Sequence, residues 1–532
     1  MLSPITQDSS ISTAMQLESR LLPQAVIFGF LLIPQMLHAT PNRNSSDQDK
    51  TLPNIVMIVA DDHHWSDFGF MGNERVHTPH LDALAARSAK FPNGYVPSSV
   101  CRPSLASILT GLYPHQHGIY FNHGPPGNAG YNKMTSRKEY ELTRQNEFQW
   151  IKRLQTIPKT LAKNKGYRCL QTGKFWEGHF QNAGFTEGMT TFSPPPRDQT
   201  YGGIRTLANG ELVAHGNGDF GLSIGRKTML PIKEFIAQCE REQTPWLVWY
   251  APYLPHLPHD APKPFQKLAS NRQGVLPWEQ PYFASISQFD ASVGELQSIV
   301  KTHSKPNQTL FIFLTDNGWR PSSTKTKHSA NEFSQTKRSK RSPFDDGIRT
   351  PLLICWDGQI RPQTRTGLVS SVDLLPTLFS AVGISKSEWQ HLPGIDLFGL
   401  LRSNRRIPKD RSVFGEIYPG DASSLGRPQN DIAYRWIRQG GLKLIVPHSQ
   451  QRTSEQAASI SSLDLQTDSV QAWNGYVNSE TLFDLSIDPF EKLNLANSAR
   501  FQIKRKQLRD LINQWWNPAI SDPPLKLNSL TE

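Results

Sequence analysis

The run Ile55-Val56-Met57-Ile58-Val59-Ala60, followed at once by Asp61-Asp62, decides the reading of this chain. It is short, wholly apolar and mostly β-branched, which marks a strand buried on both faces rather than one with a wet side. Similar runs recur at Trp246-Leu247-Val248-Trp249-Tyr250 and Leu310-Phe311-Ile312-Phe313-Leu314. Helical spacing of apolar residues fills the intervals, at Leu81 to Ala89, Ile157 to Lys165 and Phe283 to Val300. Continuous apolar strands alternating with amphipathic helices predict an α/β fold: a large mixed, mainly parallel sheet sandwiched by helices. In such sheets ligands bind beyond the carboxyl ends of the strands.

That rule gives the polar residues after each strand a meaning. Asp61-Asp62 follows the first strand and Asp316-Asn317-Gly318 follows another. A single acidic pair is most often a solvated turn. Two pairs at equivalent places in one sheet favour an oxygen-only site for a hard divalent cation, Ca²⁺ or Mg²⁺. A helix should begin at Cys101-Arg102-Pro103-Ser104, because Pro103 suits a first turn and Leu105, Ile108, Leu109 and Leu112 mark an apolar face. Cys101 then stands at a helix start, where free N–H groups favour an anion. By local pattern it reads as a buried cysteine or as a nucleophile.

Beyond residue 400 the texture changes. An arginine-rich segment, Arg402 to Arg411, precedes short strand candidates at Ser412 to Ile417, Tyr434 to Arg438, Leu442 to Val446 and Thr481 to Leu485. A terminal amphipathic helix should run from about Phe501 to Trp516. The expected organisation is a catalytic α/β domain over 51–400 and a smaller C-terminal α+β subdomain over 401–532.

The N-terminal segment has the layout of an export signal. Arg20 precedes the apolar stretch from Ala25 to Ile33, flanked by Pro23 and Pro34, and Ala39 offers a small residue for cleavage. Residues 1–39 read as a signal peptide and 40–50 as a linker, which places the mature chain in the periplasm or outside the cell without stable membrane insertion. The other cysteines, Cys169, Cys239 and Cys355, fall in strand-like or helix-like runs and read as small buried hydrophobes. A formal net charge of +11 favours anionic partners. The basic clusters lack interleaved aromatics and no nucleic-acid-reading motif is present, so nucleic acid is not the expected partner.

From about Asn54 to Asn494 the chain resembles the type I, formylglycine-dependent sulfatases of the alkaline-phosphatase superfamily. The resemblance is carried by Pro53-Asn54-Ile55 leading to Asp61-Asp62 and by Cys101-Arg102-Pro103-Ser104 with Leu109-Thr110-Gly111. Further matches are Pro255-His256-Leu257-Pro258-His259, Thr315-Asp316-Asn317-Gly318, Lys340 with Asp346-Gly347-Ile348-Arg349-Thr350-Pro351, and Leu482-Phe483-Asp484-Leu485 with Asp488-Pro489. It implies hydrolysis of sulfate esters, here of a sulfated carbohydrate given the export signal and basic charge. Cys101 would be converted to formylglycine (3-oxoalanine) by a formylglycine-generating enzyme, and its hydrate would attack sulfur. Asp61, Asp62, Cys101, Asp316 and Asn317 would surround the metal. Lys174 and Lys340 would contact sulfate, and His256, with His259 as the alternative, would protonate the leaving oxygen.

Two positions depart from the family pattern. Leu105 stands where the signature carries arginine, and Trp176 stands where histidine follows Lys174 by two residues. Arg102 is the nearest candidate for the missing charge, and His179, or Glu177, for the missing histidine. His115 and His117 lie close after the signature helix as supporting candidates. Two other functions stay open on these residues: a phosphodiester or phosphonate ester hydrolase using the same ligands, and a catalytically silent binder of sulfated glycans.

Overall fold

The computed structural model describes residues 52–195, 201–319, 338–418, 420–448 and 479–520. The expected signal and linker segments, 1–39 and 40–50, lie outside the described residues. From Thr51 onward the chain forms one compact unit.

Its strands in chain order are β1 (Asn54–Ala60), β2 (Ala89–Tyr95), β3 (Arg168–Gly173), β4 (Glu187–Gly188), β5 (Ile204–Thr206), β6 (Leu212–Ala214), β7 (Trp246–Ala251), β8 (Thr309–Thr315), β9 (Arg349–Cys355), β10 (Gln363–Thr364) and β11 (Val369–Ser370). The central sheet runs β10-β2-β9-β8-β1-β7-β3-β4, with β11 also on β2. β1 is parallel to both β7 and β8, and β3 is parallel to β7 and β4. β9 is antiparallel to its neighbours β8 and β2, which makes the sheet mixed.

Alternate side chains of β1 enter different cores. Ile55, Met57 and Val59 pack in a cluster with the Cys101–Thr110 helix, while Val56, Ile58 and Ala60 pack with the Pro79–Ala86, Leu230–Arg241 and Gln280–His303 helices. This two-sided burial is the physical reason that β1 reads as an unbroken apolar run. The predicted Leu81–Ala89 helix ends at Ala86, because Ala89 already opens β2. The Cys101–Thr110 helix is buried on every face rather than along one stripe. Its polar faces are satisfied locally: Ser107 Oγ lies 3.1 Å from His117 Nε2, and Thr110 Oγ1 donates to Ala106 O at 2.7 Å.

The C-terminal subdomain is an antiparallel sheet, β12 (Ser412–Ile417), β13 (Tyr434–Gln439), β14 (Leu442–Pro447) and β15 (Thr481–Asp484), in that order. The Gln502–Trp515 helix packs Leu508 and Ile512 against Ile437, Leu444 and Leu482. Val413, Trp436, Ile445 and Phe483 join the main core. A buried ion pair, Lys443 Nζ to Asp345 Oδ1 at 2.8 Å, also ties this sheet to the segment before β9.

Candidate active site

Parallel register brings the site together. Ala60 and Thr315 are partners at the ends of β1 and β8, so the residues that follow, Asp61 and Asp316, emerge side by side. Gly173 and Ala251 are partners at the ends of β3 and β7, so Lys174 and the loop carrying Tyr253 and His256 emerge next to them. Gly173 has φ +74°, and a Cβ there would lie 1.9 Å from Ala251 O, so only glycine lets the chain turn Lys174 inward at this point. Lys340 arrives from the segment before the antiparallel strand β9, which starts at the same edge of the sheet.

The helix of Cys101 is pinned to this edge. Ser104 Oγ donates to Asp316 O at 2.5 Å, and Arg341 N donates to Ser99 O at 2.9 Å. Cys101 Sγ lies 3.8 Å from Asp61 Oδ1, 3.9 Å from Asp62 Oδ1 and 3.3 Å from Lys174 Nζ. Lys174 Nζ binds both oxygens of Asp61, at 2.8 and 2.6 Å, and Lys340 Nζ binds both oxygens of Asp62, at 2.6 and 2.9 Å. Asp62 takes a left-handed conformation, φ 56°, and its N–H donates to Asp316 Oδ1 at 3.1 Å. Asn317 Nδ2 donates to Asp62 Oδ1 at 2.6 Å, and His256 Nε2 stands 3.4 Å from Asp62 Oδ2.

These carboxylates are crowded. Burial and the neighbouring Asp61 push the Asp316 carboxyl well above its ordinary range, although Lys174 opposes them. Burial would raise Asp62 as well, but Lys340, His256 and Lys174 together hold it below the usual carboxylate range. Burial raises the Cys101 thiol against the pull of Lys174 and Lys340. His256 is pushed down to about 4 by burial, with Asp62 opposing.

The donor set fits a hard cation. Asp61, Asp62 and Cys101 place ligand atoms within 4.8 Å of one another. Among the described residues Asp316 Oδ2 and Asn317 Oδ1 are buried oxygens with no hydrogen-bond partner, and such atoms are rare unless something else satisfies them. Three formal carboxylates against two ammonium groups leave one negative charge. A divalent cation would turn it to one positive charge, complementary to a monoanionic sulfate ester.

Two expected residues take other roles. Arg102 is fully buried, and its charge is already met by Glu147 Oε2 at 2.5 Å and Glu177 Oε2 at 2.9 Å, so it does not replace the missing arginine. Glu147 is shared with Arg144, also at 2.5 Å. His179 caps a short helical turn by accepting from Gln181 N at 3.3 Å and lies outside the pocket, as does Glu177. Leu105 is buried in the apolar core. His115 pairs with Glu416, and His117 supports Ser107 inside the fold.

A cavity of about 630 Å³ opens onto Cys101, Lys174, His256 and Lys340. Trp176 and Tyr253 line it too; Lys174 Nζ lies 4.8 Å from the Tyr253 ring centre, and that ring stacks on His256 at 4.2 Å. Sequence reading missed Tyr253, although its position just past β7 could have flagged it. It also missed His123, Arg205 and His215, which no periodicity marks.

The Sulfatase family model matches residues 53–384, most of the chain. This protein belongs to the sulfatase family, whose reaction is the hydrolysis of sulfate esters. It is 28% identical over 399 residues to arylsulfatase A of Homo sapiens, covering 70% of this chain and 72% of that protein. It is 26% identical over 393 residues to N-acetylgalactosamine-6-sulfatase of Homo sapiens, covering 70% of each. The crystal structure of Ps i-CgsB in complex with k-i-k-neocarrahexaose superposes with TM-score 0.60 at 21% identity, covering 87% of this chain and 92% of that one. The shared architecture is the alkaline-phosphatase-like sheet described above.

Proposed function

We propose that this sulfatase hydrolyses a sulfate ester on a carbohydrate, outside the cytoplasm, with Cys101 as the residue to be modified. The observation that carries the proposal is the meeting of Asp62 and Asp316 beside Cys101, with two buried oxygens that no group among the described residues satisfies. Asp61, Asp62, Asp316 and Asn317 would hold Ca²⁺, with Mg²⁺ as the alternative. When present, formylglycine from Cys101 supplies a hydroxyl nucleophile and the cation supplies positive charge at the sulfuryl group.

The side chains of the chain do the rest. Lys174 and Lys340 offer cationic N–H donors to the sulfate oxygens, in a pocket where burial strengthens each contact. His256 Nδ1 donates to Leu257 O at 2.7 Å, which leaves Nε2 facing the site. A bound sulfate ester adds negative charge beside that ring and favours a second proton on Nε2, the atom that would pass it to the leaving oxygen. Tyr253, stacked on His256, fixes the ring plane. The carbohydrate reading is supported by the polar, roomy cavity, by the relative named for N-acetylgalactosamine 6-sulfate, and by the neighbour solved with a carrageenan oligosaccharide. Export rests on the segment 1–39; among the described residues no helix is long and apolar enough to cross a membrane.

Leu105, where a signature arginine is usual, favours a second reading: a glycan binder with unmodified Cys101. Mass spectrometry of the Cys101 peptide from the native host, with turnover of aryl sulfate and aryl phosphate measured in parallel, tests the proposal. An aldehyde at residue 101 and preference for sulfate are expected. An intact thiol on every molecule without turnover overturns the proposal, and preference for phosphate assigns the chain to phosphoryl chemistry.

A further inference from the structure

The cavity extends past Trp176 to a second polar cluster that the sulfate chemistry does not use. Arg205 and His215 come from the ribbon β5–β6 and its end, and His123 follows the Cys101 helix. Arg205 is only 5% exposed. Its guanidinium lies within hydrogen-bond distance of Asn128 Oδ1 at 2.7 Å, Asn128 O at 3.1 Å, Asn132 Oδ1, His123 Nε2 at 3.3 Å and His215 Nε2 at 3.2 Å.

Each of these acceptors is neutral, and among the described residues no carboxylate pairs with the guanidinium directly; Asp421, which lines the same cavity, reaches it only through His123 and Asn128. The buried arginines nearby behave differently: Arg102 and Arg144 are both paired with Glu147. A guanidinium desolvated without a paired counter-charge is costly, and a bound anion would offset that cost.

The hydrogen-bond balance points the same way. Arg205 Nη2 has two hydrogens for three acceptors, Asn128 Oδ1, His123 Nε2 and His215 Nε2, and the two histidine Nε2 atoms stand 3.4 Å apart. His123 Nδ1 donates to Asp421 Oδ1 at 3.2 Å, and Asp421 also accepts from Asn128 N at 2.5 Å. Arg205 Nε and Trp176 Nε1 are buried donors, and His215 Nδ1 a buried ring nitrogen, without a hydrogen-bond partner among the described residues. Two orphaned N–H groups on residues that line one cavity, beside a guanidinium that no carboxylate pairs with directly among the described residues, call for a negatively charged acceptor.

We infer that Arg205 and His215, with His123 held by Asp421, form a second anion subsite, and that the substrate carries another acidic group near the scissile sulfate. This rests on the carbohydrate sulfatase reading above. Trp176 separates the two charged sites: its ring centre is 6.0 Å from Lys174 Nζ, 5.6 Å from the His123 ring and 5.4 Å from the His215 ring. That span suits a second sulfate or a carboxylate on the same sugar or its neighbour. It also gives the tryptophan that stands in place of the family histidine a role as the wall between them.

Calorimetric titration of the Cys101→Ser protein, with and without Arg205→Gln, tests the subsite independently of turnover. The probes are N-acetylgalactosamine 6-sulfate, N-acetylgalactosamine 4,6-disulfate and a 6-sulfated disaccharide containing a uronic acid. Tighter binding of the disulfate identifies a second sulfate as the ligand, and tighter binding of the disaccharide identifies a carboxylate. Arg205→Gln should weaken the preferred diacidic probe by about tenfold or more, as loss of a charge-assisted hydrogen bond does, and leave the monosulfate within about threefold. If Arg205→Gln does not fold, His215→Ala should give the same selective loss at smaller size. In the unmodified background, Arg205→Gln should raise KM for the diacidic substrate and leave kcat and aryl sulfate turnover nearly unchanged. Equal weakening of all three probes, or no preference for either diacidic one, overturns the inference. A wild-type protein that turns over no sulfate ester yet shows the selective binding loss overturns the sulfatase reading and leaves the subsite standing.

Discussion

The backbone N–H of Asp62 donates to Asp316 Oδ1 at 3.1 Å, across 254 residues of chain. The contact follows from the parallel register of Ala60 with Thr315, and it turns two ordinary-looking acidic pairs into one site.

Asp316→Ala should remove a ligand rather than a support. Its effect on Ca²⁺ affinity should exceed the roughly 10–100-fold that loss of a supporting group costs. Calorimetric titration of Ca²⁺ into the variant checks this, and an unchanged affinity removes Asp316 from the ligand set.

Glu147→Gln should destabilise the fold without touching the reacting groups. Glu147 is shared by Arg102 and Arg144, all three fully or almost fully buried, so its loss strands positive charge in the interior. Breaking a buried pair in this way costs about 3–5 kcal/mol. Denaturant unfolding measures the loss, and a cost below about 1 kcal/mol contradicts the role assigned to the network.

Acid should weaken the protein partly through His117. Burial, then His115, pushes this ring down to about 3 in the folded chain, against 6.5 for a free histidine. Its Nδ1 accepts from Ile119 N at 3.1 Å, so the folded state needs it neutral. The unfolded chain therefore takes up a proton that the folded chain refuses. Stability is complete above about pH 6.5 and is lost as pH falls toward 3. Between pH 7 and pH 4.5 the His117→Gln variant should lose about 2–3 kcal/mol less than wild type, at about 1.4 kcal/mol per pH unit. Equal losses in urea unfolding at the two pH values contradict this.

Much of the architecture was legible because it depends on local periodicity. The apolar runs of β1, β7 and β8 are buried on both faces, the helix at Ile157–Lys165 has the predicted limits, and the four C-terminal strands fall within one residue of the limits read from the sequence. The ends of elements were less legible. Ala89 belongs by spacing to the helix that precedes it, yet pairing with Ile354 draws it into β2. Along the Cys101 helix, Leu105, Ile108 and Leu109 marked one apolar face, but Ser104 and Ser107 are buried as well, received by Asp316 O and His117 in the interior.

Arg102 and His179 show the limit most plainly. Both lie near the signature residues in sequence, and proximity made them candidates for the missing charge and the missing histidine. Side-chain direction decides otherwise: Arg102 points into Glu147 and Glu177, and His179 turns back on Gln181.

The sequence by itself determined the order of strands and helices and the polar residues that end each strand, because burial imposes a pattern on neighbouring positions. Tertiary structure alone decided which of those residues meet, since the strand register that aligns Asp61 with Asp316 and Lys174 with the His256 loop is set by packing between distant segments. Arg205, His123 and His215 illustrate the same physics. They come from separate segments with no shared pattern, and only the folded cavity reveals a buried guanidinium that no carboxylate pairs with directly among the described residues.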